Sequence, residues 1–264
     1  MLPLQTSSER IFFMNLRLIV FFCILITSLI YAYEENNLAD LIVPTQIAPK
    51  SLEVNIVHRF LRDPAGDFPD NFVTLANVNL HLRYVIWSKL EIGTGWLFLP
   101  KEYTFHAAYS YFMPNLYLRT QAYIQFYGTQ TAFGDRTSWK NNALYQINLQ
   151  SEPIVGRIFP TVNLLYDGLI KKFGLGTGLD VAVLKDLDIV GEYFPVIGGK
   201  DSVAFGGGPA MANCYSVGFK ISTPGHHFMF SISNSTDMGV RRLMRGTYNN
   251  NIYFGFNIQR LISF

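Results

Sequence analysis

The chain has 264 residues, of which only 15% are charged, whereas an ordinary soluble domain carries about 25%. A formal net charge of +2 at pH 7 gives no reason to expect a nucleic acid or another polyanion as a partner. The aromatic residues are 22 Phe and 15 Tyr with only three Trp, and Phe and Tyr are favoured in strands and at membrane interfaces.

The N-terminus has the pattern of a secretory signal. Arg17 precedes the apolar run Leu18–Ile30, and Ala32 offers a small residue for cleavage. A secretory signal has an apolar run of about 7–15 residues after a basic start, whereas a membrane-spanning helix needs about 20. We therefore expect residues 1–32 to be a cleaved signal peptide, with Met14 as an alternative translation start and an uncleaved anchor helix as the competing interpretation.

Residues 33–50 follow the signal and show no regular alternation of polar and apolar residues. They contain two prolines, Pro44 and Pro49, which interrupt regular strands. We expect this stretch to be either a periplasmic N-terminal segment or a small plug inside the domain that follows.

From residue 51 onward, polar and apolar residues alternate in segments of about ten residues. Period two places each set on its own face of a strand, and about ten residues of tilted strand cross a bilayer. The even number of segments brings both chain ends to the same side. The predicted strands lie near 51–60, 76–86, 88–98, 102–112, 115–127, 141–150, 156–167, 174–184, 187–196, 213–222, 227–234 and 251–260.

The connections between these strands alternate in length, with short turns after the even strands and mostly longer loops after the odd ones. Outer-membrane barrels have short periplasmic turns and longer extracellular loops. A soluble sandwich or barrel would show the same alternation, but the signal, the aromatic content and the loop asymmetry favour a membrane. We predict that residues 51–264 form an all-β, single antiparallel up-and-down transmembrane β-barrel of about 12 strands in the bacterial outer membrane.

The last predicted strand ends at the chain terminus. Phe256 and Ile258 share one face of it, and the final residue is Phe264. A last alternating strand closed by a C-terminal Phe resembles the assembly signal of bacterial outer-membrane barrels. The resemblance implies that the barrel assembly machinery and the outer-membrane lipid are the partners of this chain.

Three stretches carry a further resemblance: 51–60 (SLEVNIVHRF), 225–235, which begins GHHF and ends SNS, and 254–260 (FGFNIQR). In these stretches the chain resembles an uncharacterised family of predicted outer-membrane β-barrels from Bacteroidota, domain of unknown function 5777. The resemblance implies the fold and the location. It supplies no catalytic residue that could be carried over.

The polar residues give no sign of an enzyme. Ser110 is four residues from His106 on the same face of a strand, which separates them by about 13 Å, too far for a nucleophile and its base. Once the signal is removed, Cys214 is the only cysteine, so neither an internal disulfide nor a cysteine-based zinc site is expected. We expect no catalytic residues, no metal and no cofactor, with a membrane-embedded hydrolase as the least favoured alternative.

The predicted register turns charged residues and glycines towards the barrel interior. A mixed, slightly basic lumen is compatible with a water-filled pore or with an interior closed by salt bridges, and inward glycines leave room for a bend, a plug or a solute. The predicted lumen residues are Arg59, Arg83, Lys89, Arg119, Arg157, Lys220, Glu53, Glu91, Asp180 and Glu192, and the inward glycines are Gly93, Gly95, Gly174, Gly176 and Gly178.

Two functions follow from these expectations. The first is a channel for small polar solutes with a weak preference for anions, because basic side chains in a pore favour anions. The second is a non-conducting structural or surface-binding barrel that meets an extracellular partner through its loops 61–75, 197–212 and 235–250.

Overall fold

A computed structural model describes residues 37–44, 48–61, 76–130, 137–197, 212–247 and 250–264, so the predicted signal peptide lies outside the described residues. Twelve strands in this part of the chain form one closed barrel, in which each strand pairs with its sequence neighbours and the last pairs with the first. All the pairings are antiparallel, which confirms the predicted up-and-down barrel. The strands are β1 (Ser51–Phe60), β2 (Ala76–Trp87), β3 (Leu90–Leu97), β4 (Glu102–Met113), β5 (Leu116–Gln130), β6 (Thr137–Ser151), β7 (Ile158–Asp167), β8 (Lys172–Leu184), β9 (Leu187–Phe194), β10 (Cys214–Thr223), β11 (His226–Ser233) and β12 (Tyr253–Ser263).

The two ends of the barrel differ in their connections. One end holds the short turns 88–89, 114–115, 152–157, 185–186 and 224–225 together with the start of β1 and the end of β12. Two of these turns are a proline followed by a residue with positive φ, Asn115 at 68° and Gly225 at 78°, residue types that tolerate this backbone conformation. The opposite end holds the longest connections, 61–75, 195–213 and 234–252, together with the short ones 98–101 and 168–171, and corresponds to the extracellular side of an outer-membrane barrel.

The alternation of side chains places the polar face inside the barrel. On β1, Glu53, Asn55 and Arg59 are buried, whereas Leu52 and Ile56 on the other face remain partly exposed. The outer wall exposes large apolar side chains, which suits contact with lipid. The barrel is therefore apolar outside and polar inside, as the period-two pattern predicts.

The interior also contains two pieces of chain that are not strands. The first is the N-terminal segment (residues 37–44), in which Leu38, Ala39 and Leu41 are almost completely buried. The second is the inserted loop (residues 234–247), which follows β11 and contains one short helix, α1 (Val240–Leu243). The two pieces pack together in one apolar cluster with the wall. No helix in the described part of the chain is both long and apolar enough to cross a membrane.

Candidate functional site

The N-terminal segment is held in the lumen by hydrogen bonds from its backbone to wall side chains. The Glu192 carboxylate on β9 accepts from the backbone N–H groups of Asp40 and Leu41, each at 2.8 Å. The Asn163 amide on β7 accepts from the Ile42 N–H and donates to the Ile42 carbonyl, again at 2.8 Å each. Because a buried backbone without strand partners needs such bonds, the wall replaces the neighbouring strand that this segment lacks.

The Asp40 carboxylate links the N-terminal segment to both the wall and the inserted loop. One oxygen pairs with the Arg59 guanidinium at 2.9 Å, and the other accepts from the Gly239 N–H at 2.9 Å. Arg59 also donates to Asn257 Oδ1 at 2.9 Å, and the amide of Asn257 donates to the Ala39 carbonyl at 2.7 Å. These bonds join β1, β12, the segment and the loop in one network.

Three inward glycines on β8 form a groove that the apolar side chains of the interior fill. A Cβ on Gly176 would lie 2.5 Å from a Leu41 methyl, and a Cβ on Gly178 would lie 2.6 Å from methyls of both Leu38 and Leu41. Gly174 leaves the corresponding space for the inserted loop. Among the uses we expected for inward glycines, these three therefore make room for a plug.

The inner wall from β1 to β5 carries a charge cluster that consists of Glu53, Arg83, Glu91, His106 and Arg119. Arg83 bridges Glu53 at 2.8 Å and Glu91 at 3.0 Å, and Glu91 also contacts Arg119. His106 Nε2 lies 3.5 Å from the Glu91 carboxylate. The cluster cross-links β1, β2, β3, β4 and β5, and its charged members are at most 4% exposed.

The inserted loop brings a second set of charges into the lumen. Arg242 pairs with Glu102 on β4 at 2.7 Å and with Asp237 at 2.6 Å, while Arg241 pairs with Asp167 on β7 at 2.7 Å. Burial raises the pKa of the Asp237 carboxyl above its ordinary value, although the Arg242 guanidinium acts against this. Protonated Asp237 therefore contributes most to stability when the pH is below the ordinary pKa of an aspartate. This contribution is lost as the pH rises through the raised pKa of the folded state.

Eight of the ten predicted lumen residues lie inside the barrel. Lys220 contacts Asp180 and lies 2.9 Å from Asp188, a partner that the sequence did not indicate. The other inward residues divide between the charge cluster and the contacts of the N-terminal segment. The eight are Glu53, Arg59, Arg83, Glu91, Arg119, Asp180, Glu192 and Lys220.

The prediction was wrong for Lys89 and Arg157. Lys89 lies exposed in the turn 88–89, with its ammonium 5.3 Å from the centroid of the Tyr111 ring. Arg157 lies exposed in the turn 152–157. Both strands begin two residues later than predicted, and the period-two rule for side-chain direction does not hold within a turn.

Whether loop 235–250 meets an extracellular partner stays a prediction, but its described part lies inside the barrel. It buries Met238, Val240 and Leu243, so these apolar side chains are not offered to a partner. The other two loops proposed for such a partner fall mainly outside the described residues.

Several interior charges were missed in the sequence. Glu102 shares the inward face of β4 with His106, and Asp167 shares that of β7 with Asn163, so alternation alone could have identified them. Asp40, Arg241 and Arg242 lie in segments without alternation, and no sequence signal places them in the lumen.

A cavity of about 120 Å³ remains between the N-terminal segment, the inserted loop and the wall from β1 to β7. Its lining mixes polar and apolar side chains, and Asn79 on β2 pairs directly with Leu97 on β3. The polar and charged lining residues include Asp40, Asn55, Asn79, His81, Glu102, Thr104, Gln125, Gln146, Arg241 and Arg242, and the apolar ones include Ile42, Leu97, Leu144, Leu165, Met238 and Val240. Among the described residues, no group of three or more His, Cys, Asp or Glu could hold a metal ion.

The proposed assembly residues lie within the closing strand β12 and directly after it. Phe256 and Ile258 are partly exposed on the outer face of β12, and Phe264 follows the strand with 79% of its surface exposed. The Phe264 N–H donates to the Lys50 carbonyl at 3.2 Å, next to the first strand. Their role in assembly stays a prediction.

The fold and the lumen define a membrane-spanning β-barrel whose interior is occupied by its own chain. The chain belongs to the family described as membrane bound beta barrel domain (domain of unknown function 5777), whose model matches residues 43–262. No match was found among curated proteins.

Solved outer-membrane proteins show a distant similarity to the fold. The KdgM porin has a TM-score of 0.48 at 10% identity, covering 80% of this chain and 98% of its own. The NanC porin has a TM-score of 0.46 at 9% identity, covering 81% and 99%. The outer membrane protein Omp33 of Acinetobacter baumannii has a TM-score of 0.44 at 8% identity, covering 81% and 98%.

Proposed function

We propose that the protein is an outer-membrane channel for small polar solutes, exported by a cleaved signal peptide, whose lumen is closed by its own N-terminal segment. The observation that carries this proposal is the filling of the lumen beside β7, β8 and β9. Residues 37–44 occupy that space at Gly176 and Gly178, and the inserted loop occupies it at Gly174. Wall side chains alone do not fill it.

The glycine groove supports a removable filling. Glycine weakens a strand, so a barrel that only needed a filled interior would gain stability from larger inward residues on β8. The polar wall contacts of the segment, Glu192 and Asn163, are groups that water can solvate once the segment leaves. The groove therefore suits a segment that can move out and leave a water-filled path.

The ion pairs of the lumen limit its selectivity. Arg83 and Arg119 each contact a carboxylate of the wall, so their charges stay largely compensated, whereas Arg59 loses its partner Asp40 when the segment leaves. An unpaired ring of basic side chains would favour anions strongly. We propose that any anion preference of the open channel is weak.

The test compares two double variants of the N-terminal segment in planar lipid bilayers. Leu38→Asp with Leu41→Asp places two carboxylates in the apolar cluster, and burying unpaired charges there is strongly unfavourable. We expect the segment to leave its groove and the conductance to rise. Leu38→Met with Leu41→Met keeps the side chains apolar and similar in volume, so it is the matched control and should conduct like the wild type.

Heat-modifiable migration on gels shows whether each variant keeps the folded barrel. A folded Asp variant that conducts no more than the Met control would contradict the channel.

The charge cluster favours the second candidate, a non-conducting structural barrel, because it cross-links neighbouring strands of the wall. That candidate predicts a closed lumen even without the segment.

A further inference from the structure

The wall around the N-terminal segment contacts mainly the peptide groups of the segment. Glu192 accepts from two successive backbone N–H groups, those of Asp40 and Leu41, each at 2.8 Å. Asn163 pairs in both directions with Ile42, accepting from its N–H and donating to its carbonyl at 2.8 Å each. Every residue except proline offers these atoms, so the bonds do not depend on which side chains the segment carries.

The wall itself orients the groups that make these bonds. Ser216 on β10 donates to the second carboxylate oxygen of Glu192 at 2.9 Å, and Gln146 on β6 donates to Asn163 Oδ1 at 3.0 Å. Because these partners belong to the strands, Glu192 and Asn163 stay oriented when the segment is absent. A site that is organised before its ligand arrives loses less entropy upon binding.

Two further contacts select the side chains of the segment. The space above Gly178 holds methyl groups of both Leu38 and Leu41, and the Arg59 guanidinium pairs with the Asp40 carboxylate at 2.9 Å. The Leu38 N–H donates to the Leu41 carbonyl at 2.9 Å, so the bound chain forms a tight turn. In peptide recognition, main-chain bonds supply affinity and side-chain pockets supply specificity, and this groove has both.

We infer that the groove is a peptide-binding site, which takes a free peptide with an acidic residue between apolar ones once the segment has left. The inference rests on the proposed function, because the segment must leave before another chain can enter. It names the class of solute for the channel, a short peptide of this chemistry. The vacated space suits such a ligand, because a turn of peptide chain fills it in this structure.

The tethered segment competes with any free peptide. A short tether gives it an effective concentration on the order of millimolar. The wild type should therefore bind a free peptide weakly, and a variant whose segment has left the groove should bind it well.

Fluorescence anisotropy tests the inference on the full-length mature protein in detergent. The probe is a synthetic peptide of residues 37–43 (NLADLIV), labelled at its N-terminus and amidated at its C-terminus. The Leu38→Asp, Leu41→Asp variant provides the vacated groove, and the Leu38→Met, Leu41→Met variant is the matched control with the groove filled. We expect the Asp variant to bind the peptide at least about tenfold more tightly than the Met control or the wild type.

Two esters of the peptide test the recognition of the main chain without altering the barrel. An ester in place of the Leu41 amide removes the N–H that donates to Glu192 and adds no bulk, so binding to the Asp variant should weaken at least about tenfold. The matched control is an ester at Ala39, whose N–H donates to no acceptor among the described residues. The Ala39 ester should bind like the parent peptide.

An exchange of one carboxylate tests the acidic selectivity. Asp40→Asn in the peptide removes the charge that pairs with Arg59 and should weaken binding about tenfold. Adding Arg59→Met to the Asp variant should abolish this difference between the two peptides, whereas a merely structural role of Arg59 would weaken both peptides alike. A difference that persists in Arg59→Met would overturn the proposed selectivity.

Three results would overturn the peptide site itself: no binding by the folded Asp variant, equal binding of the parent peptide and its Leu41 ester, or equal binding of a scrambled peptide of the same composition. Conductance is measured separately. Raised conductance of the Asp variant without peptide binding would retain the channel and reject the site. Peptide binding without raised conductance would retain the site and reject the channel.

Discussion

The two sides of the lumen are filled in different ways. Beside β1 to β5, side chains of neighbouring strands pair with one another along the wall, with Arg83 held between Glu53 and Glu91. Beside β7 to β9, the wall recedes at Gly176 and Gly178, and residues 37–44 fill the space. Beside β1 to β5 the interior side chains are part of the strands themselves, whereas beside β7 to β9 they come from a separate chain segment.

This difference indicates which part of the interior can change. Opening the charge cluster would leave ions in a site that excludes water, and that cost is close to the stability of a typical domain. Releasing the N-terminal segment exposes a few apolar side chains and breaks one buried ion pair, Asp40 with Arg59, but both charges then meet water in the vacated space. A path through the barrel should therefore open on the glycine side while the charge cluster stays intact.

The largest effect is expected in the charge cluster. Arg83→Met leaves Glu53 and Glu91 without their shared cation, and removing one partner of a buried ion pair costs about 3–5 kcal/mol. The urea midpoint of barrel unfolding should fall accordingly. Lys89→Met removes an exposed cation from the neighbouring turn and should leave the midpoint unchanged. Equal midpoints for the two variants would show that the cluster does not hold this side of the barrel together.

A smaller effect on stability is expected in the glycine groove. Gly178→Val places its side chain where the methyls of Leu38 and Leu41 lie, so the segment should be displaced and the conductance raised while the barrel stays folded. Gly191→Val on β9 is the matched control, because a Cβ there meets nothing within 4 Å. If both variants conduct like the wild type, the segment is either not displaced or does not close the lumen.

The barrel could be predicted from the sequence because period-two alternation is a local property. The alternation within a single strand identifies its polar, inward-facing positions. Glu53, Arg83 and Arg119 could therefore be assigned to the lumen without knowledge of the residues they contact. The same rule gave the wrong position for Lys89 and Arg157, where the chain turns before the pattern ends.

The contents of the lumen could not be predicted in the same way. The fit of Leu41 against Gly176 and the hydrogen bond that the Leu41 N–H donates to Glu192 join residues more than 130 positions apart. Nothing in the irregular stretch around Pro44 decides between a periplasmic segment and a plug. The inserted loop poses the same problem, since Arg241 and Arg242 acquire their positions only through partners on β4 and β7.

Hydrogen exchange of individual amides under native conditions tests most directly whether the N-terminal segment opens separately from the barrel. The Asp40, Leu41 and Ile42 amides are bonded to wall side chains, whereas those of β1 and β2 belong to the strand ladder. If the segment leaves while the barrel stays folded, its amides should exchange at least about tenfold faster than the ladder amides, through a sub-global opening. Equal rates, with all these amides exchanging only upon global unfolding, would contradict a removable segment and leave a permanently filled barrel.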